Sequence, residues 1–268
     1  MSASPYHEGR LERAFKRRRK GDTPGVIPYF TAGYPRLDDL PALLHAAEGT
    51  GCLAAEVGVP FSDPVADGPT MPQSSHIAIG NGIHLALIFE QIATARSSGL
   101  GIPVVLMTHV NPVLAYGFDR FFESAAGAGA DGVIVPDLPL GEAGGLRQAA
   151  DKHDLPVIPL VTPVTTPGRL QRTCVHARGF ISCVSVAGTT GARAEISKGA
   201  LDLLERVGMV TDTPRALGFG LREHRHLISL TGRCEAAVIG SAVIDAIDAD
   251  REHPVHAAST FLHALRHG

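Results

Sequence analysis

Two acidic side chains stand where acid–base chemistry is possible. In LAAEVGVPFSDPVADGP, residues 53–69, Glu56 interrupts an apolar run, and period-two alternation puts it on one face with Ala54, opposite Leu53, Ala55 and Val57. A carboxylate in a buried strand is costly to ionise, so desolvation raises its pKa toward neutrality, which is what a general acid/base needs. A structural Glu paired with a neighbouring cation is the competing reading, but Lys and Arg are scarce in the strand-like runs. Beyond it, Asp63 and Asp67 lie in a loop stiffened by Pro60, Pro64 and Pro69. Asp in such a loop is ordinarily a turn former. A loop leaving the strand of Glu56 can also fold back over it, and two carboxyls in different environments can take separable roles.

A second constellation lies near the C-terminus, where LGFG (217–220) ends one apolar run and IGSA (239–242) turns another directly into a helical pattern. Glycines permit close backbone approach, and the free N–H groups of a helix start bind phosphate. Gly191, in GTTG, could add a further amide.

The elements that must position these residues alternate. Strand-like runs fall at 26–30, 53–57, 103–107, 132–135, 157–160, 180–184, 215–218 and 236–239. Helical patterns lie between and after them, at 37–51, 85–98, 118–128, 141–153, 167–177, 199–207, 241–249 and 255–265. Eight βα units without a GxGxxG after the first strand favour a closed (β/α)8 barrel over an open doubly wound sheet. The expected fold is thus α/β, a single TIM-type barrel domain over 1–268 with an extra N-terminal helix. Long loops follow strand 2 (58–82) and strand 6 (186–197), on the face that carries barrel active sites, and read as lids. The glycine pair then falls after strands seven and eight, the usual barrel phosphate site.

Composition narrows the class. The chain has 268 residues, 44% hydrophobic and 19% charged, enough for a large core. With 24 Lys and Arg against 27 Asp and Glu, the formal charge of -3 gives no general field for nucleic acid or anionic membrane. The run Lys16, Arg17, Arg18, Arg19, Lys20 reads as a solvated helix end. No apolar run reaches the roughly 18 residues of a membrane span, and no signal-like segment opens the chain. Cys52, Cys174, Cys183 and Cys234 lack CxxC spacing and read as buried thiols. Among 13 histidines there is no HExxH, and His224 and His226 sit in a polar helix-like stretch, so no metal is expected.

With those residues in hand, the chain resembles the tryptophan synthase α-subunit family over about 26–247. EVGVPFSDPVADGPT is the most specific segment, supported by PYFTAGYP, NPVLAYG, VIVPDLPL, TPVTTPGRL, GTTGA, GFG and IGSAV. The resemblance implies a (β/α)8 barrel that reversibly cleaves indole-3-glycerol phosphate to indole and glyceraldehyde 3-phosphate, without metal or organic cofactor. Glu56 then matches the catalytic glutamate and Asp67 the aspartate that accepts the indole N–H. Thr190 matches the threonine that closes onto that aspartate. Gly191, Gly220, Gly240 and Ser241 match the phosphate cradle, and Tyr29, Ile134, Phe219 and Val238 the indole pocket. Asp63, Asn111 and Pro139 match positions that meet a PLP-containing β subunit. The resemblance further implies an α2β2 assembly in the cytoplasm. A freestanding lyase that releases indole, or a weakened ligand-binding or activator homologue, stays open.

Three departures bear on activity. Ser182 stands where the family has a tyrosine on the sixth strand. If that phenol aids proton transfer, its loss lowers the rate about ten- to a hundredfold; if it only positions substrate, water can replace it. The common ISTPE after GFG is replaced by Leu221-Arg222-Glu223-His224, one residue shorter. This removes a hydroxyl cap and a Pro at N1, a predicted weakening of about 1 kcal/mol. His109 replaces the family's usual aromatic.

Overall fold

The computed structural model describes residues 8–18, 21–62, 70–139, 141–175, 177–184, 196–218 and 220–268. Eight parallel strands form the barrel: β1 (Gly25–Thr31), β2 (Ala55–Gly58), β3 (Val104–Met107), β4 (Gly132–Ile134), β5 (Leu160–Val161), β6 (Ile181–Val184), β7 (Arg215–Gly218) and β8 (Ala236–Ile239). Around them the described helices are α1 (Arg10–Lys16), α2 (Leu40–Gly49), α3 (Thr70–Gly80), α4 (Leu85–Ser97), α5 (Val110–Tyr116) and α6 (Phe118–Ala128). They continue with α7 (Gly144–Lys152), α8 (Pro167–Cys174), α9 (Lys198–Gly208), α10 (His224–Ser229), α11 (Ser241–Ala249) and α12 (Pro254–His267).

The strand order is β4-β3-β2-β1-β8-β7-β6-β5, every pair parallel. Closure comes from a bridge between Val133 and Val157, with Val133 N–H donating to the Pro156 carbonyl (2.9 Å) and Ile158 N–H to the Val133 carbonyl (2.8 Å). The strands read as continuous apolar runs because helices cover their outer faces while side chains fill the lumen. β1 is buried along its whole length. One inner layer contains Ile27, Ala54, Val105, Ile134, Ile158, Phe180, Ala216 and Ala236.

Helix α1 plugs the N-terminal end of this layer. Its Leu11 and Phe15 are buried, and Phe15 stacks on Phe180 with ring centroids 5.3 Å apart. An ion network centred on a nearly buried carboxylate anchors it. Asp131 accepts from Arg10 Nε (2.8 Å), Arg96 Nη2 (2.7 Å) and the Val104 N–H (2.9 Å). Burial raises the Asp131 pKa and lowers that of Arg96, so mutual contact holds these charges against desolvation.

The expected barrel is borne out, with three corrections to its parts. The segment 58–82 is not all loop: it contains α3, whose packing rests on small polar contacts such as Ser74 Oγ to Thr31 Oγ1 (2.8 Å) instead of an apolar stripe. Helix α5 also escaped the pattern, being a short connector with one buried residue, Val113. The fifth strand shifts from 157–160 to Leu160–Val161, with Val157 kept only as the closing bridge. The cationic run is solvated in part. Lys16 pairs with Glu8 (2.7 Å) and Arg17 is exposed, whereas the Arg18 guanidinium turns in to the Thr23 carbonyl; residues 19–20 lie outside the described segments. All four cysteines are buried free thiols. Among the described residues, no single helix is long and apolar enough to cross a membrane.

Candidate active site

Glu56 lies on β2 two residues from its C-terminal end, in register with Tyr29 on β1 and Val105 on β3. It shares inward parity with Ala54 of the inner layer, as the alternation required. Only 3% of the residue is exposed, and Oε1 has no hydrogen-bond partner among the described residues. Burial pushes its pKa up to about 8. The group therefore enters neutral solution protonated, able to give a proton and then take one back.

Tyr29 lies beside it, and the chain makes room for its ring. A Cβ at Gly58 would fall 1.8 Å from the Tyr29 Oη, so only glycine fits at that end of β2. Gly58 carries no chemistry-bearing side chain, and its only mark in the sequence is the period-two spacing from Ala54 and Glu56 that makes it inward-facing. Ile134 and Val238 also share inward parity, Ile134 in register with Met107 and Val238 with Ile27 and Gly218. Ser182 is buried on β6, in register with Leu160 and Ala216.

The two glycine segments meet around the ends of β7 and β8. Gly240 leads into α11, which begins at Ser241, and the first amides of a helix lack intrahelical acceptors. Gly220 follows β7 with a φ of +74°, a left-handed conformation that disfavours any side chain, and is exposed. Asp245 on α11 ties these parts together: Arg222 pairs with its Oδ2, and Thr70 Oγ1 donates to its Oδ1 (3.3 Å). The far end of the acid-bearing β2 loop is thus anchored to the helix that starts at Ser241. Met71 packs toward Gly240, its Sδ 3.9 Å from where a Cβ would stand. No local pattern pointed to Asp245.

The helix start after GFG has neither a hydroxyl cap nor a proline at N1, and His226 adds a contact of its own there. It is buried, not on a polar face, and its Nδ1 accepts from the backbone N–H groups of Arg222 (3.2 Å) and Glu223 (3.3 Å). An imidazole at N3 thereby forms the half of a capping box that accepts the N-cap amide, a contact different from the N2 or N3 amide that a hydroxyl N-cap would serve. The signal was present as Glu223 followed three residues later by a side-chain acceptor.

Asn111 on α5 and Pro139 after β4 are both exposed, and the Asp137 carboxylate links their loops by accepting the Val110 N–H (3.0 and 3.2 Å). His109 packs against Phe61 with ring centroids 5.0 Å apart. Asp63, Asp67, Thr190, Gly191 and Phe219 lie outside the described residues.

A family model described as tryptophan synthase alpha chain matches residues 15–266. The chain belongs to the tryptophan synthase alpha chain family. It is 39% identical over 260 residues to the tryptophan synthase alpha chain of Roseiflexus castenholzii, covering 96% of this chain and 99% of that one. The solved alpha subunit from Legionella pneumophila superimposes with a TM-score of 0.89 at 28% identity, covering 97% of this chain and 98% of that one. A chain of the tryptophan synthase complex from Pyrococcus furiosus matches with a TM-score of 0.83 at 32% identity, over 90% and 97% of the two chains.

Proposed function

We propose that this chain cleaves indole-3-glycerol phosphate reversibly to indole and glyceraldehyde 3-phosphate, with Glu56 as acid and base, and passes the indole to a tryptophan synthase β subunit. The observation that carries this reading is the buried Glu56 carboxyl, whose pKa is pushed up to about 8 at the active end of the barrel. An indole carbon is a poor leaving group until it is protonated. Glu56 delivers its proton to that ring carbon, and positive charge develops toward the ring nitrogen, where Asp67 accepts the N–H. The Glu56 carboxylate then takes the proton of the adjacent glycerol hydroxyl. The C–O bond becomes a carbonyl, the C–C bond breaks, and its electrons restore the aromatic ring. Glu56 ends protonated, as it began, so the cycle needs no electron-sink cofactor.

The remaining roles follow the same reading. Gly220, Gly240 and Ser241, with Gly191, hold the phosphate through backbone amides. Tyr29, Ile134, Phe219 and Val238 flank the indole. Thr190 closes its loop onto Asp67. Asp63, Asn111 and Pro139 face the β subunit in an α2β2 assembly in the cytoplasm, with PLP confined to the β partner. The whole of 1–268 acts as one domain.

The test is indole release from indole-3-glycerol phosphate by the purified chain, with and without a β subunit, for wild type and Glu56→Gln. Product from wild type that rises with β subunit and vanishes in the variant supports the reading. Equal traces from both proteins refute it.

A further inference from the structure

We infer that His226 is a positioning residue for substrate phosphate, fixing the Gly220 side of the cradle by accepting two backbone amides of the segment that follows Gly220. The inference rests on the proposed phosphate site and adds a residue to it. Between Gly220 and α10 the chain reads Leu-Arg-Glu, and the N-cap residue, Glu223, has extended backbone (φ -134°, ψ 153°). The N–H groups at and just before a helix N-cap have no intrahelical acceptor. The His226 Nδ1 serves two at once, the Glu223 N–H at the N-cap and the Arg222 N–H before it.

A ring nitrogen that accepts two N–H groups carries no proton, so the imidazole proton sits on Nε2. The residue is only 4% exposed, and Nε2 has no partner among the described residues. A buried donor left this way costs free energy, and an apolar side chain of similar size would avoid that cost. What the imidazole supplies here is the loop-facing acceptor.

The loop is held from its other side as well. The Arg222 side chain pairs with Asp245 on α11, the helix whose first residue is Ser241, while Leu221 is buried. Helix α10 is itself hooked to α12, since His224 Nδ1 donates to the Leu265 carbonyl (3.0 Å). His226 fixes the backbone after Gly220, while the Arg222 side chain reaches, in a solvent-exposed pair, Asp245 on the helix that begins at Ser241. Without the acceptor, both amides turn toward water and the Gly220 N–H leaves its place. Glu56, on β2, is not connected to this contact, so binding and chemistry should separate.

The experiment compares wild type, His226→Leu and His226→Gln by kcat and KM for indole-3-glycerol phosphate and by competitive inhibition with inorganic phosphate. In His226→Leu, KM and the phosphate inhibition constant should each rise about tenfold, the cost of losing the loop's acceptor, with kcat within about twofold. His226→Gln should recover most of both, because Gln at N3 reaches the Glu223 amide at the N-cap in a capping box. Nitrogen NMR of wild type gives a reading independent of any variant: Nδ1 should be unprotonated, and the Arg222 and Glu223 amides slow to exchange. Unchanged phosphate inhibition in a folded His226→Leu, a fall in kcat alone, failure of Gln to rescue, or a protonated Nδ1 would each overturn the inference. A wild type that binds phosphate through His226 yet makes no indole would instead refute the proposed reaction.

Discussion

Replacing Glu56 by Gln should make the protein more stable as pH rises, relative to wild type, while abolishing turnover. In the unfolded chain a glutamate titrates near 4.5, whereas burial holds Glu56 near 8. Between those values the unfolded state has released a proton that the folded state retains, so wild-type stability falls as pH rises. The linkage amounts to about 1 kcal/mol at pH 5 and about 3 kcal/mol at pH 7, levelling off above pH 8. Gln has nearly the same shape and no charge, so its own fit adds a constant offset and leaves the slope. Going from pH 5 to 7, the variant should therefore gain about 2 kcal/mol on wild type, or about 4 °C in Tm for a chain of this size. Calorimetry of both proteins from pH 5 to 9 reads this directly. The same titration should make wild-type indole release flat below pH 8 and falling above it, because cleavage begins with the protonated acid. Melting curves that stay parallel across the range would show that the carboxyl is not desolvated, and the mechanism would lose its proton donor.

Gly58→Ala should destabilise the barrel by about 2 kcal/mol and weaken substrate binding, because the new methyl meets the Tyr29 phenol. Urea unfolding checks this, and adding Tyr29→Ala should recover much of the stability; two additive losses would refute the clash. Asp131→Ala should cost about 2 kcal/mol in urea unfolding, since the largely buried Arg96 loses its carboxylate and keeps only carbonyl acceptors. A loss below about 0.5 kcal/mol, the level of surface changes, would show that the network does not anchor α1. Asn111→Arg, on exposed α5 near the exposed Leu114, should lower affinity for the β subunit at least about tenfold by titration calorimetry, as expected for a buried unpaired charge. Undiminished affinity would remove α5 from the proposed interface.

The sequence by itself determined the eight alternations, the inward face of Glu56 and the placing of GFG and IGSA after the last two strands. These are local properties: side-chain alternation and turn chemistry are set by chain neighbours, so they can be read without knowing what lies across the barrel. Helix α3 and the short α5 were less legible, since α3 sets serines against β1 and α5 buries a single side chain. Three features depended on the closed barrel: the closing bridge at Val133, the room that Gly58 leaves for Tyr29, and the Asp131 anchor joining residues 121 positions apart. In each, a polar group or a volume is satisfied by a partner whose nearness is created by the closed barrel and its packed helices. A one-dimensional pattern shows that Glu56 is dry, but only the folded chain shows that it has no neutralising neighbour among the described residues, and that absence makes it an acid.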